Sequence, residues 1–112
     1  MKTVVAYFED DQPSANTSKL IDSIIGTNVG VIIYKNVSEF AVKIMTHDPE
    51  NIILFDESLA LELFEHKENF KDIAYNIREA KVVGRKRKLL VIPSNLRVTK
   101  LEIALDRLSE LI

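Results

Sequence analysis

The sequence contains no cysteine, so disulfide bridges, thiolate zinc sites and cysteine nucleophiles are excluded, and nothing points to an oxidising compartment. The three glycines (Gly26, Gly30 and Gly84) are too few and too scattered for either of the glycine-rich loops that bind nucleotide phosphates. The apolar run at the amino terminus stops at Glu9, too early for a signal peptide or a membrane span. We therefore expect a cytoplasmic protein with no membrane segment.

The length of 112 residues suits one domain with one hydrophobic core, and we expect residues 1–112 to form it. Hydrophobic residues make up 46% of the chain and charged residues 29%, which is typical of a globular protein. The net charge of −2 conceals an asymmetry: residues 1–66 hold 11 acidic and 4 basic residues, whereas residues 67–112 hold 6 acidic and 11 basic residues. The acidic part would suit a divalent cation, and the basic part an acidic partner.

Apolar runs alternate with helical patterns in the first half of the chain. The runs at 3–8, 29–34 and 51–55 lack polar alternation, which indicates strands that are covered on both faces. Between them, apolar residues recur at helical spacing; Gly26 marks the end of the first helix, and Ser38 is a candidate cap of the second. Strands that alternate with helices predict right-handed crossovers and a parallel sheet.

The second half of the chain is less regular. Residues 59–80 favour helix for most of their length, with a break at 66–69. The run at 89–92 predicts a further buried strand, and 101–112 a final amphipathic helix. We interpret the cationic segment 81–88 as a solvated loop rather than a nucleic-acid site, because no stacking aromatic residue accompanies it. The residues that would contact nucleic acid in the alternative interpretation are Arg85, Lys86, Arg87 and Lys88.

Acidic residues follow two of the predicted strands: Asp10 and Asp11 the first, Asp56 the third. The ends of parallel strands meet at one sheet edge, so we expect these carboxylates to be neighbours. In the strand order 2-1-3, the two strands would lie about 4.8 Å apart. Three close carboxylates repel one another unless a hard cation such as Mg²⁺ neutralises them. The alternative is structural, because acidic residues at such turns commonly cap helices.

This arrangement resembles the receiver domain of bacterial response regulators. The stretch from Phe8 to Ser14, the helix up to Gly26, and the interval of 45 residues from Asp11 to Asp56 are all similar to a receiver, over roughly residues 1–60. The resemblance implies a flavodoxin-like α/β fold in three layers, with helices on both faces of a parallel sheet of order 2-1-3-4 and room for a fifth strand. It also implies that Asp11 is the main Mg²⁺ ligand, Asp10 its companion, and Asp56 the acceptor of a phosphoryl group.

Receivers also carry a Ser or Thr after the fourth strand and a Lys after the fifth. If the run at 89–92 is the fourth strand, Ser94 takes the place of this switch hydroxyl and no fifth strand follows. If it is the fifth strand, a strand within 67–83 has escaped recognition. Neither assignment supplies the Lys.

Three functions therefore stay open. The first is a signalling receiver that is phosphorylated on Asp56 and works with a histidine kinase or a regulated protein, or as a homodimer. The second is a receiver-like interaction module that needs no phosphorylation. The third is a metal-dependent, Toprim-like nucleic-acid enzyme, although Glu57 and Ser58 follow Asp56 where Toprim domains carry an Asp-x-Asp pattern.

Overall fold

The computed structural model describes residues 2–10, 13–64 and 69–112. Within these ranges the chain is an α/β protein with a five-stranded, mostly parallel mixed sheet. The strands are β1 (Thr3–Phe8), β2 (Gly30–Tyr34), β3 (Asn51–Leu54), β4 (Arg78–Val82) and β5 (Arg85–Val91). The helices are α1 (Ala15–Ile25), α2 (Val37–His47), α3 (Glu57–Leu63), α4 (Phe70–Ile73) and α5 (Leu101–Leu111), the last preceded by a 3-10 turn at Val98–Lys100. No helix in the described ranges has both the length and the apolar character that a membrane crossing requires.

The sheet has the order β2-β1-β3-β5-β4. β1 lies between β2 and β3 and pairs parallel to both, and β3 pairs parallel to β5. The predicted order 2-1-3 is therefore confirmed. β1 and β3 are buried on both faces as predicted: Val4, Val5 and Ala6 are all fully inaccessible to solvent. The prediction is wrong for β2, which is an edge strand: one of its faces is exposed at Val31 and Ile33.

The far edge of the sheet differs from the prediction of a wholly parallel sheet of order 2-1-3-4. β4 pairs antiparallel with β5, and β5 takes the place beside β3. The helix predicted over 59–80 is also wrong at its carboxyl end, because β4 begins at Arg78. Most of the break predicted at 66–69 lies outside the described residues.

The cationic segment 81–88 is a β-hairpin and not the solvated loop that we predicted. Its turn is formed by Val83 and Gly84, whose φ angles of 48° and 80° are both left-handed, as in the two-residue turns that match strand twist. Successive side chains on a strand point to opposite faces. Accordingly Arg87 is buried, while its neighbours Lys86 and Lys88 are exposed.

Two clusters of buried side chains form the core, and alternate residues of β1 belong to each. Val4 and Ala6 belong to a cluster that includes residues of α2, α3 and α4. Val5 belongs to a cluster that includes residues of α1 and α5. Each face of β1 therefore packs against apolar side chains, which explains why its sequence lacks polar alternation.

Local capping interactions fix the helix ends. The Ser14 hydroxyl accepts a hydrogen bond from the Thr17 amide at the start of α1, and Gly26 follows its last turn as predicted. The predicted cap of α2 at Ser38 is wrong, because Ser38 lies inside the helix. Asn36 caps α2 instead: its side-chain oxygen accepts from the Glu39 amide at 2.9 Å.

Candidate functional site

Asp56 lies at the carboxyl end of β3 and is the N-cap of α3. Its Oδ1 accepts a hydrogen bond from the Leu59 amide at 3.0 Å, and its Oδ2 accepts one from the Tyr34 hydroxyl at 2.7 Å. The Phe55 amide donates to the Ala6 carbonyl of β1, which holds the end of β3 against its neighbour. Both carboxylate oxygens of the predicted phosphoacceptor therefore have a partner within the protein.

Tyr34 is the last residue of β2, and only 2% of it is exposed. Its ring centroid lies 6.1 Å from that of Phe8 and 5.2 Å from that of Phe40, which it meets edge-on. This packing fixes the direction of the hydroxyl towards Asp56. Tyr34 was not predicted as a site residue; the available signal in the sequence was an aromatic side chain with a polar tip at the end of an apolar strand.

The predicted carboxylate group is described only in part. β1 and β3 are adjacent and parallel, so Asp10 and Asp56 both follow strands that end at the same sheet edge. Asp10 is exposed, Asp56 is half-buried, and Asp11 lies outside the described residues. In the part of the chain that is described, no group of three His, Asp or Glu side chains is placed to hold a metal ion. A Mg²⁺ site that includes Asp11 stays a prediction.

Ser94, the predicted switch hydroxyl, follows the strand that pairs with β3. The Ser94 carbonyl accepts from the Ser14 amide at 2.9 Å, and the neighbouring Leu96 amide donates to the Thr17 hydroxyl at 2.9 Å. The turn after β5 is thus fastened to the start of α1. These bonds oppose the loop movement that a switch residue would need.

A cleft of about 400 Å³ opens beside Asp56, between the β2–α2 connection and α3. We call it the Asp56 cleft. Its apolar lining includes Phe8, Tyr34, Val37 and Leu59, and its charged lining residues are Asp56 and Glu62. Among the described residues that line it there is no lysine or arginine. The cleft therefore combines apolar walls with negative charge.

The cations of the predicted nucleic-acid patch divide between two faces of the hairpin. The Arg87 side chain, which is only 2% exposed, donates from Nη1 to Asp48 Oδ1 at 2.9 Å and from Nε to the Val82 carbonyl at 2.9 Å. Nη1 of Arg85 donates to Asp48 Oδ2 at 2.6 Å. Lys86 and Lys88 lie on the opposite, exposed face. All four cations still line one cleft of about 480 Å³ at this end of the sheet, but Asp48 already binds Arg85 and Arg87.

Tyr75 lies at the carboxyl end of the sheet, next to β5. Its amide donates to the Val91 carbonyl at 3.0 Å, and its carbonyl accepts from Arg107 Nε at 3.0 Å. These two bonds hold the residue at a φ of 60°, which a bulky side chain rarely adopts. Partial burial raises the pKa of its phenol above the ordinary value of 10.0, the charge of Glu57 raises it further, and Arg97 opposes both.

Comparisons of this chain with protein-family models, with curated proteins and with solved structures found no match. The receiver resemblance therefore depends on the sequence pattern, and the function is argued below from the geometry of the site.

Proposed function

We propose that this protein is a receiver-like interaction module whose Asp56 acts without phosphorylation. In this proposal the chain has a flavodoxin-like three-layer arrangement with an altered far edge, resides in the cytoplasm and binds a protein partner. The observation that carries the proposal is that both Asp56 carboxylate oxygens already accept hydrogen bonds, one from the Leu59 amide and one from the Tyr34 hydroxyl.

A phosphoacceptor carboxylate needs an oxygen that is free to attack, and cations that neutralise the incoming phosphate. Attack through Oδ1 of Asp56 would remove the cap of α3, and attack through Oδ2 would take the acceptor from the buried Tyr34 hydroxyl. No ion pair within the described ranges includes Asp56. The strand at the far edge is the antiparallel β4, whereas receivers have a parallel strand that carries the phosphate-binding Lys there. The role of Asp56 as the cap of α3 is enough to account for an aspartate at this position, whether or not a phosphoryl group is transferred to it.

A second candidate is the phosphorylated receiver. Two observations favour it: Asp56 ends a strand that is adjacent and parallel to β1, and Ser94 follows the strand on the other side of β3. In this candidate Asp10 and Asp11, with Asp56, would hold Mg²⁺, which would neutralise the phosphate oxygens. A histidine kinase would donate the phosphoryl group, and a new bond from phosphorus to an Asp56 oxygen would replace the bond to the donor histidine.

No observation favours the Toprim-like nucleic-acid enzyme. Two of the cations that would have contacted nucleic acid, Arg85 and Arg87, bind the Asp48 carboxylate. Asp48 precedes β3, whereas Asp56 follows it, so these cations lie at the opposite end of the sheet from the carboxylates that would form the catalytic group.

The experiment that separates the two candidates is incubation with acetyl phosphate and Mg²⁺, followed by intact-mass measurement. We expect no phosphoryl adduct on the wild-type protein. The matched control is Asp56→Asn, which keeps a capping side chain but cannot form an acyl phosphate. An adduct that forms on the wild type and is absent from Asp56→Asn would overturn the proposal and select the phosphorylated receiver.

A further inference from the structure

We propose that the Asp56 cleft binds one arginine side chain of a protein partner. This inference depends on the proposed function, because it names the chemistry that the interaction module would recognise. It follows from the size of the cleft, from its apolar walls and from its negative charge, which no described lining residue neutralises.

The size of the cleft suits a single side chain. Its volume of about 400 Å³ is near the lower end of the range for ligand sites, which is roughly 300–1,000 Å³. A helix of about 10 Å diameter would not fit inside it. One long side chain that projects from a partner surface would.

The charge of the cleft favours a cation. The two hydrogen bonds to Asp56 come from neutral donors, so they satisfy part of its acceptor capacity, and none of the ion pairs in residues 2–10, 13–64 and 69–112 brings an opposite charge to it. Glu62 adds a second, exposed carboxylate to the lining. The nearby Lys35 is paired with Glu9 at 3.9 Å and is not among the lining residues.

The walls of the cleft favour arginine over a small cation. The half-buried ring of Phe8 offers an aromatic surface on which a planar guanidinium can stack, and Val37, 46% exposed, would be covered by the methylene stem. A guanidinium also has five N–H donors, enough to bind two carboxylates at once. Guanidinium groups already bind a carboxylate elsewhere in this chain, where Arg85 and Arg87 each donate to Asp48.

The test is a titration of ¹⁵N-labelled protein with N-acetyl-arginine amide, observed by NMR. The comparison probe is N-acetyl-citrulline amide, which has nearly the same shape but no charge. We expect saturable shifts at the amides of Val37 and Leu59 with the arginine probe and several-fold weaker binding of the citrulline probe. Glu62→Gln should weaken arginine binding several-fold at low salt, because it removes one exposed carboxylate.

The control variant is Glu102→Gln, which makes the same charge change in the first turn of α5, outside the cleft, and should leave binding unchanged. Equal binding of the two probes, shifts confined to other surfaces, or an unaltered affinity in Glu62→Gln would each overturn the proposal. The phosphotransfer assay fails or succeeds independently of these outcomes. If Asp56 accepts a phosphoryl group while the unphosphorylated chain still binds arginine in the cleft, the proposed function is wrong and the arginine site stands.

Discussion

An aspartate lies near each end of β3, and the two carboxylates differ in the charge of the groups that donate hydrogen bonds to them. Asp48, before the strand, accepts from the guanidinium groups of Arg85 and Arg87. Asp56, after the strand, accepts from an amide and from the Tyr34 hydroxyl, both neutral. At the Asp48 end of the sheet the carboxylate is held in internal ion pairs, and at the Asp56 end the carboxylate has no partner in the described ion pairs.

This difference separates the end of the sheet that stabilises the fold from the end at which the proposed function would act. The Arg87 guanidinium joins the α2–β3 connection to the β4–β5 hairpin, and it does so without exposure to solvent. Each end of the sheet has a cleft, but the one at the Asp48 end is lined mainly by polar and charged residues, whereas the Asp56 cleft has apolar walls. Parallel sheets bind ligands at the carboxyl ends of their strands. The Asp48 end therefore holds the hairpin in place, and the Asp56 end is where the proposed module would meet its partner.

The largest expected effect on stability is at the Asp48 end of the sheet. Arg87→Ala should lower the free energy of unfolding by about 3 kcal/mol, because the Val82 and Pro49 carbonyls lose their buried donor and Asp48 loses a cation. Denaturant unfolding measures the change. The control Lys86→Ala, on the exposed face of the same hairpin, should change stability by less than about 0.5 kcal/mol. Similar losses in the two variants would show that the buried bonds of Arg87 do not stabilise the Asp48 end.

The next effect on stability is at the Asp56 end and depends on which residue replaces Asp56. Asp56→Ala should cost about 2 kcal/mol, since α3 loses its cap and the buried Tyr34 hydroxyl loses this acceptor. Asp56→Asn should cost about half as much, because its amide oxygen keeps the cap of α3 while its amide nitrogen cannot accept from the Tyr34 hydroxyl. Thermal and denaturant unfolding of the two variants side by side would check this. An Asn variant as unstable as the Ala variant would show that the cap contributes little to the loss.

The smallest effect is the contribution of the Tyr75 phenol, also at the Asp56 end, to the pH dependence of stability in alkali. Its pKa is raised in the folded state by burial, so its contribution to stability is present below the unfolded value near 10 and is lost as the pH rises above that value. We expect the free energy of unfolding to fall less steeply with rising pH in Tyr75→Phe than in the wild type over this alkaline window. Parallel pH-dependent slopes of unfolding free energy would exclude this contribution.

The sequence predicted the first three strands because their apolar runs are unbroken, and its resemblance to receivers implied their order. It did not predict β4, a polar edge strand: Arg78, Ala80 and Val82 alternate with charged residues, and the Val83-Gly84 turn lacks the Asn-Gly or Asp-Gly pair that marks a hairpin. A period-2 interpretation of each arm by itself would have found the hairpin, because Ala80 and Val82 are the less exposed positions of one arm, and Arg87 and Leu89 are buried in the other.

The candidate site shows the same division between local and long-range information. The position of Asp56 after a buried strand, and the tendency of such residues to cap helices, could be predicted from the sequence. Its bond to Tyr34 could not, because the direction of that hydroxyl depends on packing against Phe8 and Phe40, which come from distant parts of the chain. The place of Asp10 at the same sheet edge follows from the confirmed strand order.

The most direct test of the account is the Leu59 amide, which donates to Asp56 Oδ1. Beryllofluoride and Mg²⁺, which mimic a phosphoryl group on an aspartate, should leave the ¹⁵N-NMR resonance of this amide unchanged, because the carboxylate stays engaged as the cap of α3. A saturable shift of the Leu59 resonance that is absent in Asp56→Asn would contradict the account and establish Asp56 as a phosphoacceptor.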